Sequence, residues 1–170
     1  MASDPGLPVV KGAGGVSSSE DIARLLYTYA ELIDAGGDFD GVGQLLGRAS
    51  FGGPATGSVF GADNIAGLFA LTTRRYPPEH GNRPRTRHLV LNPIIDVDRE
   101  VATARSTFVV VQHVPDGPVT VPLQPIVVGR YADAFTRDDS GWYFTERIVD
   151  VEMVGDVSAH LNVDPAQYGR

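Results

Sequence analysis

The amino-acid sequence predicts an α+β domain in which three N-terminal helices cover one face of a curved antiparallel sheet. Apolar residues recur at helical spacing in the first half of the chain, whereas the second half holds four runs rich in Val, Ile, Thr and Phe. Short turn-like segments join these runs, and consecutive strands joined in this way pair antiparallel. We therefore expect the helices and the sheet to enclose one core, with a small-molecule pocket between them.

Length and composition limit the classes of protein that this chain can represent. Its 170 residues, 42% of them hydrophobic, suit one domain, which we place at 17–161 between a flexible lead-in at 1–16 and a tail at 162–170. A net charge of −7 argues against a nucleic acid or an anionic membrane as partner. The lack of cysteine excludes disulfides and thiolate metal sites. Because no segment resembles a signal peptide or a membrane span, we expect a soluble, cytoplasmic protein.

The first helix is predicted to begin at residues 17–19. Ser17 is followed three residues later by Glu20, a pattern that satisfies the open amides of a helix start. The glycines at 36 and 37 are typical of a helix end. The predicted apolar side of this helix consists of Ile22, Leu25, Leu26, Tyr29, Leu32 and Ile33.

The remaining elements follow in order. We predict a short helix at 40–46, a loop or bent strand at 51–61 and a third helix from 63 to about 75, which Pro77 and Pro78 would stop. The residues after 154 are expected to cross the outside of the domain as an irregular tail, with Val157 and Leu161 as the residues that could dock. The four predicted strands are 86–98, 101–114, 119–137 and 142–154.

Asp34 is the first candidate site residue. In the first helix, Ala23, Tyr27, Ala30 and Asp34 share a side that flanks the apolar stripe, so Asp34 falls at the edge of the predicted core. A solvated aspartate near the helix end is one interpretation. A carboxylate at a helix C-terminus is electrostatically unfavourable, however, and this favours a functional reason for its presence.

His88 interrupts an otherwise apolar strand. Strand alternation places Thr86, His88, Val90 and Asn92 on one face, which is the more polar one. Such a histidine is either a structural hydrogen-bonding residue or a general acid/base. A carboxylate that reached the ring would favour the second interpretation, because it would fix the tautomer and raise the basicity of the other nitrogen.

Metal and cofactor chemistry find little support in the sequence. His80, His113 and His160 lack the H-x-x-E-H or H-E-x-x-H spacing that would bring them together, so we expect no metal site. The chain also lacks a G-x-S-x-G nucleophile motif and a phosphate-binding glycine loop. We therefore expect neither an acyl-enzyme nor a bound cofactor.

Arg130, in the segment GRYADAF, is a third candidate. An arginine within a strand can form an ion pair with an acid of the neighbouring strand, here Glu146 or Asp150, and this structural role is the simpler interpretation. The alternative is an anchor for an anionic or carbonyl group of a ligand. Arg130 is therefore included among the candidate substrate-binding residues.

Six segments follow the helix that carries Tyr29 and Asp34: GGDFDGVGQLL, GADNIAGLF, TRHLVLNPIIDVD, ATARSTFVVVQ, GRYADAF and GWYFTERIVD. Their order and spacing resemble a SnoaL-like protein of the nuclear transport factor 2-like (cystatin-like α+β roll) superfamily. The resemblance covers residues 18–161. It implies a cone-shaped roll, with N-terminal helices on a strongly curved antiparallel sheet and a conical pocket for lipophilic molecules.

The resemblance also implies roles for individual residues. It is nearest to the scytalone dehydratase-like branch, in which an aspartate near the end of the first helix pairs with a histidine of a T-x-H strand. The matching positions here are Asp34 and His88. Tyr29 matches the tyrosine that polarises a carbonyl in steroid isomerases, whereas FGGPATG stands where those isomerases carry a proton-shuttling aspartate. The candidate substrate-binding residues are Tyr27, Asn92 and Arg130. Of these, Tyr27 competes with Tyr29 for the position in the pocket.

Together these features predict a cofactor-independent acid/base enzyme, a dehydratase, isomerase or cyclase, for a hydrophobic cyclic or polyketide-like molecule. His88 would move a proton, Asp34 would orient it and balance its charge, and Tyr29 would bind the substrate oxygen. The resemblance equally admits a non-catalytic role, as a ligand-binding protein or as a structural subunit like the small subunit of ring-hydroxylating dioxygenases. It further implies a homodimer or higher homo-oligomer associated through the outer sheet face.

Overall fold

The computed structural model describes residues 17–35, 39–54, 56–114 and 121–163, and these residues form the predicted α+β fold. The lead-in at 1–16 and the tail beyond 163 lie outside them. Among the described helices, none is both long enough and apolar enough to cross a bilayer. The elements are α1 Ser18–Ala35, α2 Asp40–Leu46, α3 Ala62–Thr72, a 3-10 turn at Pro78–His80, and β1 Ser50–Gly53, β2 Gly57–Phe60, β3 Thr86–Asp98, β4 Val101–Val114, β5 Val121–Asp138 and β6 Gly141–Val154.

Helix α1 begins where the sequence predicts, with a reciprocal capping box. The Ser17 amide donates to Glu20 Oε2 at 2.7 Å, and the Glu20 amide donates to Ser17 Oγ at 3.3 Å. The apolar stripe of the helix is buried against the sheet, with Ile22 and Leu26 fully covered. The last turn of α1 packs against β3 and carries Asp34 inward.

The four long strands form the predicted antiparallel meander within one six-stranded sheet of order β2-β1-β6-β5-β4-β3. Across the segment 51–61, for which the sequence indicated a loop or a bent strand, the structure has a short hairpin of β1 and β2. Strand β1 pairs parallel to β6, a contact between distant parts of the chain. The helices cover one face of this sheet, here called the inner face, and the opposite one is the outer face.

Among the register shifts of the sheet, two change which side chains near the site point inward. In β3 the register shifts between Leu91 and Ile94, and Asn92 there has a positive φ of 52°. In β6, Phe144 pairs with Phe135 and Glu146 with Ala134, so Thr145 is an extra residue. Because side chains alternate with a period of two, each bulge moves the following residues to the opposite face.

The segment that follows β6 docks onto the domain through Val157 and Leu161, the alternative to an irregular tail crossing the outside. The Ala159 carbonyl accepts hydrogen bonds from the Tyr76 hydroxyl at 2.7 Å and from Gln112 Nε2 at 2.9 Å. Leu161 forms an isolated β-bridge with Thr73, beside the end of α3. These bonds hold the segment over the end of the sheet where β3 begins.

Candidate active site

Asp34 and His88 form a hydrogen-bonded dyad between α1 and β3. His88 Nδ1 lies 2.7 Å from Asp34 Oδ1, and the side chains of both residues are 9% exposed. The His88 backbone amide donates to the other carboxylate oxygen at 2.8 Å, and the Thr86 hydroxyl donates to Oδ1 at 3.3 Å. The T-x-H segment of β3 thus provides all three donors to one carboxylate.

This geometry determines the tautomer of His88. A carboxylate only accepts hydrogen bonds, so the ring nitrogen facing Asp34, Nδ1, carries the proton. In the neutral ring the lone pair then lies on Nε2, which makes no hydrogen bond to any residue in the described part of the chain. The dyad therefore has the form of a general base whose imidazolium state would be stabilised by Asp34.

A second polar cluster lies deeper on the inner face, around Arg147. This arginine is fully buried, and its guanidinium carbon lies 3.9 Å from the ring centroid of Tyr29 and 4.0 Å from that of Tyr131. Asp133, its neighbour on β5, is its counter-ion, with Nε to Oδ1 at 3.1 Å and Nη2 to Oδ2 at 3.3 Å. Two tyrosine rings thus stack on a buried ion pair.

Burial controls the protonation of this cluster. It raises the pKa of Asp133 to about 6, although the positive charge of Arg147 opposes the shift. Burial also raises the pKa of Tyr29 to about 12, again against the effect of Arg147, and it raises that of Tyr131 well above its usual range. Both phenols therefore keep their protons at neutral pH; the Tyr131 hydroxyl donates to the Tyr29 hydroxyl, whose own proton can be donated elsewhere.

The cluster keeps unused hydrogen-bonding capacity. Arg147 Nη1 and the Ser106 hydroxyl are buried and have no hydrogen-bond partner among the described residues. Ser106 lies opposite Tyr131 in the β4-β5 pairing, so both groups belong to the same part of the inner face. Buried polar groups are nearly always satisfied, so these are positions where an oxygen atom of a ligand would be stabilised.

His160, in the docked C-terminal segment, is a site residue that the sequence did not reveal. It is buried, and its Nδ1 has no partner within the described ranges. Burial lowers its pKa to about 4; the nearby His88 adds to this shift, whereas Asp34 opposes it. His160 thus lies close enough to the dyad to interact with it electrostatically.

His160 should make the protein less stable in acid. Between pH 6.5 and about 4 the unfolded chain binds a proton at this residue that the folded chain does not, so stability is present above 6.5 and falls as the pH drops. This contribution amounts to roughly 3 kcal/mol at most. Replacing His160 with Gln should remove it, which urea unfolding monitored by Trp142 fluorescence at pH 7 and pH 4 would detect. The exposed His113→Gln variant should follow the wild type, and an unchanged pH dependence in His160→Gln would contradict the assignment.

Three predicted substrate-binding residues do not join this site. Tyr27 is 47% exposed on the solvent side of α1, whereas Tyr29 is buried, so Tyr29 and not Tyr27 faces the core. Asn92 lies in the β3 bulge and is exposed. Arg130 is on the outer face and pairs with Glu152 at 2.9 Å, not with Glu146 or Asp150.

The sequence missed Arg147 because of the bulge in β6. Counting by twos from the buried Trp142 and Phe144 places Arg147 on the outer face, whereas the extra residue Thr145 turns it inward. Asp133 and Tyr131 alternate correctly in β5, but only their packing against Arg147 gives them significance.

The interior beside Tyr29 is occupied by aromatic rings. Tyr29 contacts Tyr131 edge to face at 5.8 Å between centroids and Phe51 at 6.5 Å, and Phe108 stacks on Tyr131 at 4.3 Å. Two cavities, of about 220 and 280 Å³, are instead lined mostly by residues of the outer face, and His88 borders neither of them.

A comparison with known protein families identifies the family of this chain. The family model of the SnoaL-like domain matches residues 16–148, most of the chain. The chain belongs to the SnoaL-like family. The matched range includes Asp34 and His88 and extends to Arg147. No curated protein matches the sequence.

Solved structures share the fold of this SnoaL-like protein. A nuclear transport factor 2-like protein with a cystatin-like fold, from Novosphingobium aromaticivorans, has a TM-score of 0.63 at 21% identity over 84% of this chain and 86% of that one. A protein of the same superfamily from Streptomyces avermitilis, provisionally assigned as a dehydratase, has a TM-score of 0.61 at 14% identity over 81% and 97%. A third, from N. aromaticivorans and provisionally assigned as an aromatic ring hydroxylase, has a TM-score of 0.59 at 20% identity over 81% and 92%. These likenesses establish the cystatin-like α+β fold.

Proposed function

We propose that this SnoaL-like protein is a cofactor-independent acid/base enzyme that acts on a hydrophobic cyclic or polyketide-like molecule. The observation that carries the proposal is the 2.7 Å contact between Asp34 and His88 Nδ1, which leaves Nε2 as the basic nitrogen. Dehydration is the first candidate among the reactions of this class, and isomerisation or cyclisation would use the same proton transfer. The structural similarity to a protein provisionally assigned as a dehydratase is consistent with this choice.

A dehydration would need only one group that both takes and returns a proton. For a β-hydroxy carbonyl substrate, His88 Nε2 removes the proton from the carbon next to the carbonyl, and Asp34 stabilises the resulting imidazolium. The same nitrogen then returns this proton to the β-hydroxyl, which leaves as water. The products are an α,β-unsaturated carbonyl compound and water, and His88 regains its neutral state.

Tyr29 is proposed to bind the substrate carbonyl oxygen, where negative charge develops. Its hydroxyl stays protonated because burial raises its pKa to about 12, and it can therefore donate a hydrogen bond to an enolate. The unpartnered Nη1 of Arg147 and the Ser106 hydroxyl offer further donors at the same depth.

Two assays test this proposal. The first incubates the protein with a panel of cyclic β-hydroxy ketones and hydroxylated polyketide-like aromatics and detects loss of water by mass spectrometry. The second, in D₂O, detects deuterium incorporation next to the carbonyl, which reports proton abstraction even when no product leaves. Exchange by the wild type that disappears in His88→Ala would support the proposal. No turnover and no exchange across the panel would argue for a non-catalytic role.

A second candidate function, a non-catalytic subunit or binding protein, is favoured by the aromatic filling of the interior and by the exposed apolar side chains on β3. Leu89, Leu91 and Ile94 are 41–49% exposed on this edge strand of the sheet. An apolar edge of this kind usually pairs with another chain. The similarity to the protein provisionally assigned as a ring hydroxylase is compatible with such a role.

We propose that a second copy of this chain covers the exposed face of β3, forming a homodimer. Leu91→Asp would place a charge within that contact, so the dimer should dissociate, as light scattering coupled to size exclusion would show. Leu71→Asp, at an apolar side chain that is 65% exposed on α3, is the matched control and should remain dimeric. A monomeric wild type, or equal dissociation by both variants, would contradict this interface.

A further inference from the structure

The outer face holds a cavity of about 220 Å³ where β3 begins, on the opposite side of that strand from His88. Thr86 borders the cavity, and its hydroxyl also donates a hydrogen bond to Asp34. The cavity and the dyad therefore adjoin the same residue of β3. Strand alternation turns Arg87 and its partner Val111 outward into this region. The side chains that matter below are Arg83, Arg85, Arg87, Val111, His113 and Leu123.

The cavity concentrates positive charge in a protein whose net charge is −7. Arg83, Arg85 and Arg87 lie within five residues, and none of the ion pairs within the described residues includes them. Arg87 uses one nitrogen for the Thr86 carbonyl at 2.8 Å, and Arg85 Nε has only a long contact of 3.5 Å to the His113 carbonyl. Each guanidinium has five N–H donors, so most of them remain available.

The loop that carries these arginines is held in place by backbone contacts. The Tyr76 amide donates to the Arg83 carbonyl at 3.1 Å, and the His113 amide donates to the Arg85 carbonyl at 3.1 Å. Pro84, between the first two arginines, is buried. A fixed backbone lowers the entropic cost of binding, because only the arginine side chains then have to be ordered.

We propose that this cavity binds the phosphate group of a small organophosphate. Guanidinium groups bind phosphate through pairs of parallel hydrogen bonds, and three of them match a multiply charged anion better than a single carboxylate. The volume is below the range of drug-sized ligand pockets, which fits the phosphate and the part of the molecule attached to it. Val111 and the largely exposed Leu123 form an apolar rim for that attached part.

The proposal is tested by titrating the full-length protein with phenyl phosphate and with inorganic phosphate at constant ionic strength, using calorimetry. Both should bind saturably, and the double variant Arg85→Gln/Arg87→Gln should weaken both affinities at least about tenfold, because it removes charge-assisted hydrogen bonds. The control Arg24→Gln/Arg105→Gln makes the same change in net charge at exposed arginines elsewhere and should bind like the wild type. Equal weakening by both double variants, or no saturable binding by the wild type, would overturn the site.

A further variant distinguishes an organic phosphate from free phosphate. Leu123→Ser should weaken phenyl phosphate and leave inorganic phosphate unchanged, because only the former reaches the apolar rim. Inorganic phosphate that binds as tightly as phenyl phosphate, with no effect of Leu123→Ser, would overturn the choice of an organophosphate. Circular dichroism of each variant would establish that it is folded. The test of this site is independent of the proposed function of the dyad, because the binding titrations do not require turnover.

Discussion

Replacing Asp34 by asparagine should lower turnover at least about 100-fold while the fold survives. The carboxylate now accepts from the Thr86 hydroxyl, the His88 amide and His88 Nδ1. An asparagine that keeps its oxygen toward the backbone amide would turn its NH₂ group toward the ring. The proton of His88 would then move to Nε2, which would change the catalytic nitrogen from an acceptor into a donor.

Two measurements check this expectation. Steady-state rates on a substrate identified by the dehydration or deuterium-exchange assay should fall in Asp34→Asn and in His88→Ala to a similar degree. Nitrogen chemical shifts of the His88 ring should report the change of tautomer in Asp34→Asn without any substrate. If the dyad were merely structural, Asp34→Asn would lower the stability of the fold, but the change of His88 tautomer would not be accompanied by a loss of rate.

The matched control is Asp63→Asn, which makes the same chemical change at an exposed aspartate in the first turn of α3. Its rate and its His88 spectrum should equal those of the wild type. Full activity in either dyad variant would exclude the proposed mechanism. An unchanged His88 tautomer in Asp34→Asn would exclude its explanation.

Removing the counter-ion of Arg147 should be among the most destabilising single changes in the protein. Asp133→Ala would leave a fully buried guanidinium with no neutralising charge, at an expected cost of about 3–5 kcal/mol. This is a large part of the stability of a typical domain. Urea unfolding followed by the fluorescence of Trp142, the single tryptophan, measures it.

The reverse change should cost less, because Asp133 can protonate. Burial already raises the pKa of Asp133 to about 6 against the opposing charge of Arg147. In Arg147→Met that opposing charge is gone, so the Asp133 carboxyl would stay neutral over a wider pH range. A folded pKa above the unfolded value means that the folded chain binds more protons. The stability of Arg147→Met should therefore fall as the pH rises through that folded pKa.

The double variant Asp133→Leu/Arg147→Met tests whether the cost comes from the unpaired charge. It replaces the pair with apolar groups and should recover most of the stability lost in Asp133→Ala. A double variant as unstable as the sum of the single changes would show that packing alone explains the losses. A cost below about 1 kcal/mol for Asp133→Ala would show that solvent reaches the guanidinium.

Local sequence signals predicted most of the elements. The sequence predicted the ends of the helices at 18–35 and 40–46 and of the four long strands to within two residues. These predictions succeed because the apolar period and the turn residues act over short distances. The capping pair Ser17 and Glu20 was predicted for the same reason, since both partners lie within one helical turn. The third helix ends at Thr72, not near 75, where the chain turns to meet the C-terminal segment.

The dyad was predictable, but most of the inner polar cluster was not. The T-x-H strand and the aspartate near the helix end lie in regular elements, so their facing directions follow from the period, whereas their pairing was implied by the resemblance to the scytalone dehydratase-like branch. Arg147 lies beyond a bulge, and a single extra residue reverses the direction of every side chain after it. Asn92 illustrates the same effect in β3, where the bulge leaves it exposed.

The sequence by itself determined the α+β class, the order of the long elements and the residue types that could form an acid/base pair, because hydrophobic period and capping depend on near neighbours. Only the tertiary structure decided the parallel pairing of β1 with β6, the docking that brings His160 toward the dyad, and the burial of Arg147 beside Asp133. These features depend on contacts between residues far apart in the chain and on bulges whose position is set by packing. No local pattern contains that information.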